Sequence, residues 1–183
     1  VDWWVTFLRS RLGLSLQFNP TKSYETGCNL LDKKNIRGVI LKNQKIIGFT
    51  SGYFDIMHPG HVLMLGECKM YCDYLIVGVH SFLNQTPQPD GREKNQPIWT
   101  ADERLMMVQS SKYVDKAFLY DGEEELYKYL KENQNIINVR ILGEDHKDKP
   151  FTGDDLKINI VFNTRRHNYS TTNTIKKIIE ERT

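Results

Sequence analysis

The chain has 183 residues and a formal charge of +2, with 39% of its residues hydrophobic and 26% charged. Those values describe an ordinary globular domain, or one domain with an extension, and so small a net charge gives no basis for a nucleic-acid partner. No apolar run approaches the ~20 residues that an integral membrane segment needs. Cys28, Cys68 and Cys72 form no disulfide framework, which points to a reducing cytoplasm.

In chain order, residues 1–44 carry no catalytic motif and read as an N-terminal extension to a domain spanning 45–183. Trp3, Trp4, Phe7, Leu8 and Leu12 have helical spacing, as in an amphipathic helix packed on the core or on a partner subunit. From Lys45 the pattern alternates. Lys45–Thr50 reads as a buried strand, followed by a tight turn through Ser51 and Gly52. His58-Pro59-Gly60-His61 comes next, then a helix from about Gly60 to Tyr71. Asp73–His80 is a continuous apolar run of the kind found in buried parallel strands. Ser81–Ile98 is a long polar loop with three prolines. Thr100 and Glu103 then form a capping box at the head of a second helix. Val114–Tyr120, Gly122–Glu132, Asn138–Leu142 and Ile158–Phe162 continue as strand, helix, strand and strand. Ser170-Thr-Thr172 caps a last helix, Asn173–Arg182. This order predicts an α/β fold: a Rossmann-like, doubly wound parallel sheet of about five strands with flanking helices. Ligands of such sheets bind beyond the carboxyl ends of the strands.

The stretch Lys45–Met70 has the chemistry of a phosphate site. A strand leads to a glycine turn, where main-chain N–H groups and a helix N-terminus collect negative charge. Pro59 suits the first helical position. His58 and His61, three apart, can face one bound anion. With no carboxylate or thiolate in supporting spacing, the pair is a poor zinc site.

Gly52-Tyr53-Phe54-Asp55 followed by His58-Pro59-Gly60-His61 resembles the nucleotidyltransferase superfamily, whose mark is G-x-F-D and then H-x-G-H between a strand and a helix. Asp73–His80, Glu103-Arg104 and Lys112-Tyr-Val-Asp115 are similar to the cytidylyltransferases that activate glycerol 3-phosphate, phosphoethanolamine or phosphocholine. Arg165-Arg-His-Asn-Tyr-Ser170-Thr-Thr172 resembles their R-T-x-G-x-S-T-T segment, and Lys94 lies ten residues before Arg104, as their functional lysine does. Arg166 and Asn168 depart from R-T-x-G, Asn95 replaces a glycine, and Glu144-Asp145-His146 replaces the glycerol branch's G-D-D-W. Ser170–Lys177 (STTNTIKK) also resembles the heptose-phosphate adenylyltransferases.

The resemblance implies transfer of CMP from CTP, with Mg²⁺, to a phosphorylated alcohol, releasing pyrophosphate. Its alternatives are adenylyl transfer to a sugar phosphate, or a degenerate nucleotide-binding domain. It implies catalytic roles for His58, His61, Lys94 and Arg165, and nucleotide contacts from Ser51, Gly52, Tyr53, Phe54, Asp145, Ser170, Thr171 and Thr172. Lys112–Asp115 matches a segment at the family's subunit interface, so a homodimer is expected. Asp55 can act on substrate or orient the turn, and His80, His146 and His167 read as ordinary residues.

Overall fold

A computed structural model describes residues 45–81, 96–164 and 167–181. The N-terminal extension, most of the Ser81–Ile98 loop, Lys94 and Arg165 therefore lie outside the described residues. The elements are β1 (Ile47–Gly52), α1 (Pro59–Met70), β2 (Tyr74–His80), α2 (Ala101–Gln109), β3 (Lys116–Tyr120), α3 (Gly122–Asn133), β4 (Val139–Gly143), β5 (Asn159–Asn163) and α4 (Thr171–Glu180), with one 3-10 turn at Glu144–His146. The strands form a single parallel sheet in the order β3-β2-β1-β4-β5. The expected five-stranded α/β sheet is what folds. β1 sits centrally, where the strand order reverses, and its carboxyl end opens on the crevice where ligands of such sheets bind.

Period-two alternation divides the core. Leu75, Val77 and Val79 of β2, Ala117 of β3, and Val139 and Ile141 of β4 pack with Leu65 and Cys68 of α1 and Val108 of α2. On the opposite face Phe49, Ile76 and Tyr120 pack with Leu126 and Leu130 of α3. Helices thus cover both faces, and β2 is buried along almost its whole length, as its apolar run requires. β1 has the expected length but lies two residues later than Lys45–Thr50. Ser51 and Gly52, expected in the turn, remain paired with Gly78 and Val79 because β2 continues beside them. The turn begins at Tyr53.

Side chains seal the amino edge of the sheet. Asp73 accepts from Ile46 N–H at 3.0 Å and Asn138 from Ile47 N–H at 2.8 Å. Asp115 accepts from Leu75 N–H at 2.7 Å and pairs with Lys69, whose ammonium also donates to the Asp73 carbonyl. The aspartate of Lys112-Tyr-Val-Asp115 is therefore engaged within its own chain. Its pKa is lowered by the Lys69 hydrogen bond and the Leu75 N–H, against desolvation, the largest single influence.

Gly48 makes room for Cys72, just past the end of α1, against β1: a Cβ there would lie 2.7 Å from Cys72 Sγ and 2.8 Å from Cys72 Cβ. Gly48→Ala should destabilise the fold by ~1–3 kcal/mol through overpacking, read as a lower urea midpoint at unchanged m-value.

Candidate active site

The turn after β1 is shaped by its phenylalanine. Phe54 and Ile56 take positive φ values of 55° and 41°, which costs bulky residues energy that the surroundings must offset. The offset is burial. Phe54 is only 2% exposed, its ring 5.5 Å from that of His61. A side chain at Gly52 would begin 3.2 Å from the Phe54 ring. The G-x-F spacing is thus a packing requirement: the ring folds back over the glycine two residues earlier.

Asp55 serves the same turn from outside. Its carboxylate accepts from Ile98 N–H and Trp99 N–H, both at 3.1 Å, and its carbonyl accepts from Thr171 Oγ1 at 3.0 Å. Asp55 therefore ties the head of α2 and the head of α4 to the turn, which supports its orienting role. Arg104 completes the clamp. Only 1% exposed, it donates to four main-chain carbonyls: Tyr53 and His80 at 2.7 Å, and Trp99 and Ser81 at 3.1 Å. Burial pulls its pKa down, and the Asp55 charge opposes that shift.

His58 is the N-cap of α1, with Pro59 in the first turn. Its Nδ1 accepts from Gly60 N–H at 3.1 Å, and His61 Nδ1 accepts from His58 N–H at 3.4 Å. In each neutral ring the proton must then sit on Nε2. The rings stack at 4.0 Å and 24°. Two imidazoles are thus held in one tautomer, side by side at a helix N-terminus, each presenting an Nε2–H donor.

The other expected residues divide. Ser170 caps α4 by accepting from Asn173 N–H at 3.1 Å, so its hydroxyl serves the helix; Thr171 serves Asp55; Thr172 is exposed. Ser51 hydrogen-bonds the Tyr120 phenol, whose pKa burial raises. Asp145, in the 3-10 turn after β4, is largely exposed, with its carboxylate 4.0 Å from His146 Nε2.

Two histidines that the sequence reads as ordinary belong to this edge. His80 is buried at the end of β2, stacked on Tyr53 at 4.6 Å and edge-on to Tyr120 at 5.1 Å. His167 lies over Gly60: a Cβ there would be 2.7 Å from His167 Cε1 and 2.8 Å from His58 Cε1. The only available signals were a histidine ending a buried strand, and another three residues before Ser170.

Among the described residues no helix is long and apolar enough to cross a membrane, and no group of three His, Cys, Asp or Glu side chains is arranged to hold a metal ion.

A family model described as cytidylyltransferase-like matches residues 49–177. The bifunctional protein HldE of Campylobacter jejuni (serotype O:6) is 28% identical over 179 residues, covering 94% of this chain and 37% of the relative. The chain thus spans between 27% and 37% of the HldE proteins it matches. The FAD synthase of Archaeoglobus fulgidus is 35% identical over 109 residues, 59% of this chain and 73% of that protein. Among solved structures, the lipopolysaccharide core biosynthesis protein of Thermoplasma volcanium superposes with a TM-score of 0.51 at 26% identity, over 69% of this chain and 100% of that one.

Arg104→Met removes a buried cation and strands four carbonyls. It should cost about 3 kcal/mol or more, seen in urea denaturation. A loss below ~1 kcal/mol would mean that those carbonyls find other donors.

Proposed function

The chain belongs to the cytidylyltransferase-like family, and we propose that it transfers a nucleotidyl group from a nucleoside triphosphate to a phosphate monoester. An oxygen of the acceptor phosphate attacks the α-phosphorus. The new P–O bond forms as the bond to the α,β-bridging oxygen breaks, and that oxygen leaves with its electron pair as pyrophosphate. The attacking phosphate is already largely ionised at neutral pH, so no strong general base is needed. Catalysis is then positioning and stabilisation of moving charge.

The observation that carries this reading is the histidine pair, locked with both Nε2–H groups as donors at the N-terminus of α1. In the proposal these donors hold the α-phosphate as charge shifts towards the leaving group. Lys94 and Arg165 take the phosphates from other sides. The main chain of Gly52–Phe54, the first turn of α4 and the Thr172 hydroxyl line the triphosphate, and Asp145 is assigned to the ribose hydroxyls. Mg²⁺ bound together with the triphosphate would shield its negative charge, alongside Lys94 and Arg165.

For the donor base we favour ATP, and for the acceptor a sugar phosphate. FAD synthase is named for a product that contains an AMP unit, and lipopolysaccharide core is a saccharide. STTNTIKK points the same way. CTP with a phosphorylated alcohol is the second reading, favoured by Glu103-Arg104 and by the position of Lys94. The Lys112–Asp115 resemblance keeps a homodimer as the proposed assembly.

With Mg²⁺ present, ATP should bind at least tenfold more tightly than CTP in calorimetry; equal or reversed affinities would transfer the assignment to CTP. His61→Ala should lower pyrophosphate release at least a hundredfold, since one preorganised donor is worth ~3 kcal/mol in the transition state. The capping contact it also removes is worth only ~1 kcal/mol, so the melting temperature should shift by a few degrees at most. Near-full turnover in this variant would remove the histidine pair from the mechanism.

A further inference from the structure

Three imidazoles, not two, meet at Gly60. His58 and His61 each spend Nδ1 on a main-chain N–H. His167 does not. Its Nδ1 is shut off from solvent and has no hydrogen-bond partner among the described residues. Buried polar atoms are hydrogen-bonded in the great majority of cases, so such an atom calls for an explanation. Among the described residues the other side-chain atom in this condition is Arg140 Nε, and that guanidinium already donates to the Thr152 carbonyl and lies over the Phe151 ring. Among the described residues His167 shows no comparable anchor for its ring nitrogens. What holds it there is contact: its Cε1, the carbon between the two nitrogens, and His58 Cε1 both lie within 2.8 Å of where a Cβ on Gly60 would stand, and its ring lies 5.5 Å from that of Tyr169.

We propose that His167 is a third phosphate-binding imidazole of this site: its ring turns when the triphosphate binds, so that the enclosed Nδ1–H is uncovered and donates to a phosphoryl oxygen. The inference rests on the nucleotidyl-transfer reading and adds a residue to it. The reasoning is one of matching groups. Gly60 lies in the first turn of α1, where the helix dipole favours an anion although the Gly60 N–H itself is donated to His58 Nδ1. Phosphoryl oxygens only accept hydrogen bonds. A neutral imidazole whose Nδ1 meets no protein donor is free to carry its proton there and give it to such an oxygen. Gly60 makes the arrangement possible, because any side chain would drive His167 and His58 apart. His167 also precedes the α4 cap Ser170 by three residues, so a phosphate held by it would join the head of α1 to the head of α4.

Two substitutions separate hydrogen bonding from packing. His167→Asn keeps an amide N–H close to the position of Nδ1 but loses the ring, whereas His167→Phe keeps the ring and loses the donor. The probe is the α,β-methylene analogue of the preferred triphosphate with Mg²⁺, titrated by calorimetry. Pyrophosphate release is followed in parallel with the natural triphosphate. We expect His167→Phe to weaken analogue binding at least about tenfold, and His167→Asn to stay within about threefold of wild type. Unchanged binding in the Phe variant, or equal losses in both variants, would reduce His167 to a packing residue and overturn the proposal. A wild-type chain that binds the analogue but releases no pyrophosphate with any acceptor would sink the transfer reading alone, and the affinity series would still decide His167. A wild-type chain that does not bind the analogue would sink both.

Discussion

The carboxyl edge of this sheet is held by a single guanidinium. In a parallel sheet every strand ends on the same side, so carbonyls without ladder partners gather there and need donors. Arg104 supplies them from the first turn of α2, reaching Tyr53 after β1, His80 and Ser81 at the end of β2, and Trp99 at its own helix head. Arginine suits the task because its rigid fork carries five donors and no acceptor. The amino edge has the complementary problem and the complementary solution: Asp73, Asn138 and Asp115 accept from the first N–H groups of the strands. Donors at one edge and acceptors at the other set where β1 stops, and so where the histidine turn begins.

From that clamp the geometry of the turn follows by exclusion. Tyr53 is pinned through its carbonyl, and Phe54 must turn inward at a positive φ to reach the core. Its ring then occupies the space a side chain at position 52 would need. Farther on, Gly60 leaves room for His58 and His167, both of which a Cβ at that position would meet. The two glycines answer close approach, not freedom of φ, since neither has a positive φ. Asp55 then fastens the outside of the turn to α2 and α4, so two helix N-termini converge on one short segment.

Much of this was legible. Apolar runs and caps gave the strands and helices to within a few residues, because β2 and β4 are buried on both faces and Thr100-x-x-Glu103 caps as its spacing predicts. That His58 and Pro59 would stand at a helix start was legible from Pro59 and the glycines. The assignments within it were harder, because they depend on contacts between residues far apart in the chain. Nothing local says that Ser51 bonds Tyr120, that Thr171 bonds Asp55 across 116 positions, or that Arg104 spans four carbonyls. His80 and His167 were missed for the same reason: each is ordinary in its own segment and becomes notable only beside Tyr53 or Gly60. The K-Y-V-D aspartate is a further case, since nothing in its own segment announces its hydrogen bonds to Leu75 N–H and Lys69.

The choice of imidazole at this site has its own physical logic. A lysine at position 58 or 61 would carry a fixed charge, attracting the bound triphosphate and the departing pyrophosphate about as strongly as the transition state. Uniform attraction of that kind tightens binding without lowering the barrier from the bound state. A neutral imidazole with its proton fixed on Nε2 is a directed donor, and its hydrogen bond strengthens as negative charge grows on the oxygen it faces. The capping bonds at Nδ1 prevent either ring from turning that proton away, so in the proposed mechanism the main chain of α1 would contribute by holding a tautomer. Fixed positive charge is then needed farther out, against the β- and γ-phosphates. There the proposal assigns Mg²⁺, Lys94 and Arg165, with the two histidines reserved for the phosphorus where bonds change.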